Sequence, residues 1–183
     1  MAKHCSDEDF ETVFRQYRDM VFKTAYLILA DAQKAEDVLQ EVFIKVHKSL
    51  ETFDSRRGRL STWLYRITVN QCISERRTRH LPSVSLENLR EEGFDLAAAD
   101  CRRPDDLALR QEESEKIQQA MKALDRKHRA VLVLRYFDDL SYDELAQALD
   151  IPLGTVKSRL NTAIRILREE LMEGGIRHEL QKD

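Results

Sequence analysis

The chain has 183 residues, a formal net charge of −3 at pH 7 and 42% hydrophobic residues, which allows one medium domain or two small ones. Its three cysteines, Cys5, Cys72 and Cys101, are widely spaced and form no CxxC pair, which disfavours a disulfide framework and a zinc site. No segment approaches the roughly 18 apolar residues of a membrane span, and the amino terminus has no apolar signal core. We therefore predict a cytoplasmic protein with no membrane contact of its own.

Charge is unevenly distributed along the chain. Residues 56–79 contain seven arginines and one acid, whereas residues 81–125 contain six basic and eleven acidic residues. A basic segment can bind phosphate even in a chain whose total charge is negative. The first segment is thus a candidate nucleic-acid surface, and the acidic stretch is interpreted as part of a spacer.

The amino-terminal half predicts three helices and almost no β structure. The first helix is capped by Ser6 and carries apolar residues at helical spacing, as an amphipathic helix does. The second helix follows Asp31, and the third runs from about Leu60 to His80. A small helical bundle follows from these three elements.

The second helix has a polar face that contains one apolar residue. Opposite its apolar side lie Asp37, Gln40, Glu41, Ile44 and Lys48. An apolar side chain within a polar row indicates contact with a protein partner. A solvated face with an incidental isoleucine is the alternative, and for this helix taken alone it is the better one.

The third helix carries a mixed stripe between two apolar sides. At about 100° per residue, Trp63, Arg66, Asn70 and Arg77 fall within about 60° of one another. Such groups can stack on bases, hydrogen-bond to base edges and pair with phosphates. Alternatively, Trp63 belongs to the core and Arg66 covers it with its methylene stem. The candidate nucleic-acid residues here, including those of the preceding loop and the helix end, are Arg56, Arg57, Trp63, Arg66, Asn70, Arg76 and Arg77.

The carboxy-terminal part predicts a helix-turn-helix on a support of two or three helices. Ser141 and Glu144 form a capping box, and Pro152 and Gly154 break the chain. The next helix is apolar on one side and free of acids over residues 155–168. A helix of this kind fits the DNA major groove. An ordinary amphipathic helix pair with a solvated basic face is the alternative.

Within this motif, Asp150 occupies the turn position at which Gly is frequent, and Arg168 is expected to meet phosphate. The candidate DNA-binding residues of the second helix of the motif are Thr155, Lys157, Ser158, Arg159, Asn161, Thr162 and Arg165.

Three segments match one family when they are taken together: AEDVLQEVFIKV, STWLYRITVNQCISERRTR and SYDELAQALDIPLGTVKSRLNTAIRILREEL. In this order, and separated by an acidic linker, they resemble a bacterial extracytoplasmic-function (ECF) RNA polymerase sigma factor of the two-domain sigma-70 family. The resemblance covers residues 7–172. It implies an all-α fold with a sigma-2-like three- or four-helix bundle at 7–80, an acidic flexible linker at 81–105, a sigma-4-like helix-turn-helix domain at 106–172 and a tail at 173–183.

The same resemblance implies roles and partners. Asp37, Gln40, Glu41 and Ile44 are expected to bind core RNA polymerase. The third helix and the loop before it are expected to bind the −10 promoter element and to capture an unstacked base, and the helix-turn-helix is expected to bind the −35 element. The implied partners are core RNA polymerase, promoter DNA and an anti-sigma factor.

Two other classes of function remain open from the residues. A free-standing transcriptional regulator would explain the helix-turn-helix but would leave the stripe on the third helix and the polar face of the second without a role. An enzyme is weakly supported, because the chain has no GxxxxGK[ST] or HExxH motif and its five histidines are scattered. We therefore expect no catalytic residue, metal, cofactor or small-molecule substrate.

Overall fold

The computed structural model of the protein describes residues 7–56, 58–75 and 116–173, with side chains described from residue 10 to residue 172. Residues 116–122 are helical, and a short 3₁₀ helix, Leu50–Thr52, follows the second α-helix. The α-helices are α1 (Asp7–Leu29), α2 (Ala32–Ser49), α3 (Leu60–Ser74), α4 (Arg126–Tyr136), α5 (Tyr142–Leu149) and α6 (Leu153–Glu173). The described residues contain no β-strand, so the all-α prediction is confirmed. The proposed Ser6 cap, the linker and residues 174–183 lie outside the described part.

Helices α1 and α2 form a hairpin through a tight reversal. Ala30 has a φ of 54°, and its amide donates to the Tyr26 carbonyl at 2.7 Å. The next residue, Asp31, caps α2 by accepting from the Lys34 amide at 3.1 Å. Capping by a side-chain oxygen satisfies one of the unpaired amides of the first helical turn, so the chain begins α2 directly after the reversal.

Helix α3 is packed from two directions, as its two apolar sides predict. It contacts α1 and α2 on one side and α5 on the other. Its buried residues are Thr62, Leu64, Tyr65, Thr68, Val69 and Cys72. Its remaining narrow face carries the candidate stripe.

The predicted helix-turn-helix is present, and its capping box is confirmed. The Ser141 side chain accepts from the Glu144 amide, and the Glu144 carboxylate accepts from the Ser141 amide. Asp150 ends α5 with φ 54° and ψ 47°. This left-handed conformation favours Gly, but Asp is one of the side chains that tolerate it. The turn therefore keeps its shape while it displays a carboxylate.

The helices before and after the undescribed segment pack together as one body. A continuous apolar core runs from Val21 of α1 through Leu64 of α3 to Leu145 of α5 and Val156 of α6. We name residues 7–75 the first module and residues 116–173 the second module. The sequence predicts two modules but gives no sign that they share a core.

Candidate polymerase and nucleic-acid interfaces

The four candidate polymerase-binding residues share one exposed face of α2. Asp37, Gln40, Glu41 and Ile44 are all exposed, and the Ile44 side chain is 48% accessible. The opposite face of the helix is fully buried through residues such as Val42 and Val46. The buried face anchors α2, so the helix holds Ile44 outward among polar groups. Such an arrangement is suited to binding a protein partner.

The α3 stripe is only partly free. Trp63 is half-buried, and its ring centroid lies 5.4 Å from that of Phe53 at an interplanar angle of 43°. Arg66 and Asn70 are exposed. Trp63 thus contacts the core, as the alternative interpretation of this residue predicts. Part of its ring still lies free beside the Arg66 guanidinium group and the Asn70 amide. Arg76 and Arg77 lie outside the described residues.

The loop before α3 supplies further guanidinium groups. Arg56 donates to both oxygens of Asp54, at 3.0 and 3.2 Å, and Arg59 donates to Glu144 of α5 at 3.2 Å. Arg57 lies outside the described residues. The first of these pairs is local, whereas the second crosses between the modules.

Arg66, in the middle of the stripe, also reaches the second module. Its Nη2 lies 2.5 Å from Asp150 Oδ2, at the turn of the helix-turn-helix. The candidate DNA-binding residue Arg66 thus lies in an intramolecular interface. The sequence alone does not indicate this pairing, although the departure from Gly at Asp150 marks the position as unusual.

The basic face of α6 is exposed over much of its length. Lys157, Asn161 and Arg165 face solvent, and Arg165 donates to both carboxylate oxygens of Glu169, at 2.8 and 3.0 Å. A pair of this kind along one exposed helix face contributes little to stability. Arg165 can therefore exchange its carboxylate for a phosphate at small cost.

The other α6 candidates lie toward the edge of that face. Ser158 is exposed, but its hydroxyl donates to the Thr155 carbonyl at 3.1 Å. Thr155, Arg159 and Thr162 are half-buried, because they stand nearer the apolar side on which Val156 and Leu160 pack. The centre of the exposed face is formed by Lys157 and Asn161.

Sequence reasoning missed three polar residues between the modules, of which one is buried and two are half-buried. The first is Arg129 of α4, which is 8% exposed. Its guanidinium group donates to the Ile28 carbonyl in the last turn of α1 at 2.7 Å. It also donates to carbonyls at the end of the 116–122 helix and just after it, at Met121 (2.9 Å), Lys122 (3.3 Å) and Leu124 (2.9 Å). Burial lowers the pKa of Arg129, but a guanidinium remains protonated in proteins.

The second is Arg126 of α4, at the carboxy-terminal end of α3. Its Nη1 donates to the Cys72 carbonyl at 2.8 Å and also to the Glu75 carbonyl. Carbonyls at a helix end lack partners within the helix, and a cation there is favoured by the helix dipole. Arg126 therefore caps α3 from the second module.

The third is Asp138, in the turn after α4. Its carboxylate accepts from Thr24 of α1 at 3.2 Å and from the Tyr65 hydroxyl of α3. Burial raises its pKa from 3.8 to about 6, against the lowering effect of both hydrogen bonds and of Lys23. Thr24, a polar residue on the apolar side of α1, is the only hint of this contact in the sequence.

The described residues show neither a membrane-spanning helix nor a metal site. None of the described helices is long and apolar enough to cross a bilayer, and no cluster of three or more His, Cys, Asp or Glu in this part of the chain could hold a metal ion. Burial raises the pKa of the Cys72 thiol to about 12, so this thiol is protonated and unreactive at neutral pH.

Both modules match models of known protein families. The sigma-70 region 2 model matches residues 13–81, and the sigma-70 region 4 model matches residues 120–169. The chain is 36% identical over 173 residues to the ECF RNA polymerase sigma factor SigW of Bacillus subtilis, covering 91% of each chain. It is 34% identical over 155 residues to the RNA polymerase sigma-H factor of Pseudomonas aeruginosa, covering 82% of this chain and 80% of that protein.

A solved structure has a similar fold. It is the sigma factor RpoE of Bartonella quintana in complex with the anti-sigma factor NepR, with a TM-score of 0.63 and 22% identity, covering 90% of this chain and 98% of that one. Two family models and relatives similar over most of their length agree on one family. The chain belongs to the extracytoplasmic-function RNA polymerase sigma factors of the sigma-70 family.

Proposed function

We propose that this sigma factor directs core RNA polymerase to promoters through three surfaces with separate tasks. The observation that carries the proposal is the exposed row Asp37, Gln40, Glu41 and Ile44 on α2. The contacts among the described residues give these polar and aliphatic groups no structural role within the chain. Such groups suit a protein partner. We assign this row to core polymerase. The chain would then work in the cytoplasm, where polymerase and chromosome are located.

The α3 stripe is assigned to the −10 element. Extrusion of a base costs a few kcal/mol, so the site that receives it must supply stacking and hydrogen bonds. Trp63 offers a ring face, Asn70 an amide and Arg66 a cation within one row. Arg56 from the loop, and Arg57, Arg76 and Arg77 outside the described residues, are assigned to the same DNA by their positions in the sequence.

Helix α6 is assigned to the −35 duplex. Lys157 and Asn161 lie at the centre of its exposed basic face, and Ser158 lies beside them. In helix-turn-helix proteins the amino-terminal half of the recognition helix contacts base edges. Thr155, Arg159 and Thr162 at the margin, and Arg165 further along, complete the assigned set.

The division of the chain follows the same assignment. We propose a polymerase and −10 domain at 7–80, a linker at 81–105, a −35 domain at 106–172 and a tail at 173–183. The solved sigma factor with a similar fold is bound to an anti-sigma factor, and we propose a partner of that class for this chain.

The polymerase surface is tested by removing its polar groups. We expect the double variant Asp37→Ala and Gln40→Ala to bind core polymerase more weakly by about 2 kcal/mol or more, since interface hot spots reach this size. Fluorescence titration of labelled chain with core enzyme measures the loss. The matched control is Gln16→Ala with Asp19→Ala, an exposed pair of the same residue types and spacing on α1.

The control should bind core as the wild type does, and circular dichroism should show equal helicity for all three chains. Equal core affinities for the α2 variant and the wild type would refute the assignment. A chain that binds promoter duplex by itself but not core enzyme would instead be a free-standing regulator.

The −35 surface is tested by separating base contact from phosphate contact. Asn161→Ala should change which −35 sequences are used, at about 1–3 kcal/mol per lost base contact. Arg168→Ala should weaken all promoters alike and reduce the salt slope by about one charge. Transcription from a randomised promoter library measures both effects. If Asn161→Ala lowers output uniformly with an unchanged −35 preference, Asn161 does not contact a base.

A further inference from the structure

Helix α6 is divided by charge into two parts. Residues 155–168 contain four basic side chains and no acid, whereas residues 169–173 contain three acids and no base. A pair of side chains bridges the boundary, because Arg165 Nη1 donates to Glu169 Oε1 at 2.8 Å and to Glu169 Oε2 at 3.0 Å. A cation assigned to the −35 duplex is therefore held by the first acid that follows the basic part of the helix.

The stability of α6 does not explain this acid. The helix dipole disfavours carboxylates near a carboxy-terminal end, and the last turn of α6 has no basic residue to offset them. An arginine that precedes its glutamate by four residues is also the less favourable order for such a pair. The two side chains are 63% and 57% exposed, so solvent screens their attraction. What Glu169 does to Arg165 is thus the better explanation of its position.

We propose that Glu169 is a positioning residue of the −35 surface, which keeps Arg165 paired and so lowers the affinity of α6 for DNA of arbitrary sequence. The inference rests on the proposed function, because it concerns the use of the −35 surface. A cation that neutralises a phosphate adds affinity that is independent of sequence. Glu169 already offers Arg165 the paired acceptor oxygens that a phosphate would offer, so the exchange yields only part of that affinity.

The effect of Glu169 is confined to the phosphate part of binding. Glu169 lies more than two turns along α6 from Asn161, which is at the centre of the exposed basic face. The base contacts assigned to the amino-terminal half of the helix are therefore untouched, and they supply a larger share of the free energy of binding. Because arbitrary sites far outnumber promoters in a genome, a chain that binds them weakly remains available to core polymerase.

Titration of DNA with the full-length chain tests the inference. The DNA is a fluorescently labelled duplex of mixed sequence, about two helical turns long, and anisotropy measures its binding at several concentrations between about 50 and 200 mM salt. Glu169→Gln should bind about threefold to tenfold more tightly than the wild type. It should also steepen the slope of log K against log salt by about 0.9, because one further phosphate is neutralised.

Two matched controls remove the same charge elsewhere. Glu170→Gln changes the next position of α6, about 100° around the helix, and it controls for net charge and for the helix end. Glu11→Gln breaks an exposed pair with an arginine four residues away on α1. Both should change the duplex affinity by less than about twofold, since neither releases a cation of the −35 surface. Circular dichroism should show equal helicity for all these chains.

A double-mutant cycle shows whether Glu169 acts through Arg165. When Arg165→Gln is already present, adding Glu169→Gln should change the duplex affinity by less than about twofold, because the cation that the change releases is missing. A carboxylate that only repels DNA would instead give the same gain with and without Arg165.

Three results would overturn the inference: an affinity and a salt slope of Glu169→Gln equal to those of the wild type, a gain of the same size in Glu170→Gln, or an undiminished gain when Arg165→Gln is present. The titration needs no polymerase. If Glu169→Gln gains affinity as expected but the wild-type chain with core enzyme shows no −35 preference in transcription from a promoter library, the proposed function fails, and the control of duplex binding by Glu169 stands.

Discussion

Arg129→Met should lower the free energy of unfolding by about 4 kcal/mol or more, because four carbonyls lose a charged donor and each loss costs at least about 1 kcal/mol. Hydrogen bonds to a charged group contribute about 1.5–3 kcal/mol each, and a buried acceptor left without a partner costs about 1–3 kcal/mol. The carbonyls are those of Ile28, Met121, Lys122 and Leu124. Urea denaturation followed by circular dichroism measures the change.

Two further variants separate charge, shape and simple removal of an arginine. Arg129→Lys retains the charge but cannot reproduce the planar donor geometry, so it should lose most of the same stability. Arg15→Met removes an arginine whose partner, Glu11, is exposed like itself, and it should cost no more than about 0.5 kcal/mol. Similar losses in Arg129→Met and Arg15→Met would show that Arg129 does not hold the modules together.

Relative to the wild type, Asp138→Asn should gain free energy of unfolding as the pH rises, and the gain should reach about 3 kcal/mol above pH 7. Burial raises the pKa of Asp138 from 3.8 to about 6, so the folded chain binds this proton more tightly than the unfolded chain. Below both values the carboxyl is neutral in both states. As pH rises from about 4 to about 6, the unfolded state loses the proton first and the wild type loses stability.

The groups that face Asp138 define the control. Thr24 donates to it from α1 and Tyr65 from α3, while Lys23 and Asp139 supply the neighbouring charges. An asparagine side chain can still accept from the two hydroxyls. Asp139→Asn, in the same turn, removes an exposed carboxylate and should change stability by no more than about 0.5 kcal/mol.

Denaturation of the three chains over about pH 4–8 measures the difference. Other carboxyls, such as Asp31 and Asp125, have lowered pKa values and give the opposite dependence on pH. Subtraction of variant from wild type removes their contribution. A difference in the free energy of unfolding that stays constant over this range would show that folding does not raise the pKa of Asp138.

Local features of the fold were predictable because they depend on residues close in sequence. The capping box of Ser141 and Glu144 spans three residues, and the Asp31 cap of α2 acts over the same distance. The exposed face of α2 follows from helical periodicity alone. For each of these features the helix is the only structure needed to bring the residues together.

The partners of the stripe were not predictable. The sequence correctly indicates that Trp63, Arg66 and Asn70 share a side of α3, but it leaves open whether that side meets solvent, core or another helix. The structure gives a different answer for each: Trp63 contacts Phe53, Arg66 binds Asp150, and Asn70 is exposed. Such differences depend on the helix that packs beside the stripe.

By itself the sequence determined the order of the helices, their apolar faces and the helix-turn-helix, because these follow from short-range spacing and from motif order, although it predicted a third helix to about His80 whereas α3 ends at Ser74. Only the tertiary structure decided how the modules dock. The contacts concerned join residues 84 positions apart for Arg66 and Asp150, 101 for Arg129 and Ile28, and 114 for Asp138 and Thr24. Buried polar groups are stable only when each finds its partner, and no short-range pattern encodes a partner that docking brings from the other end of the chain.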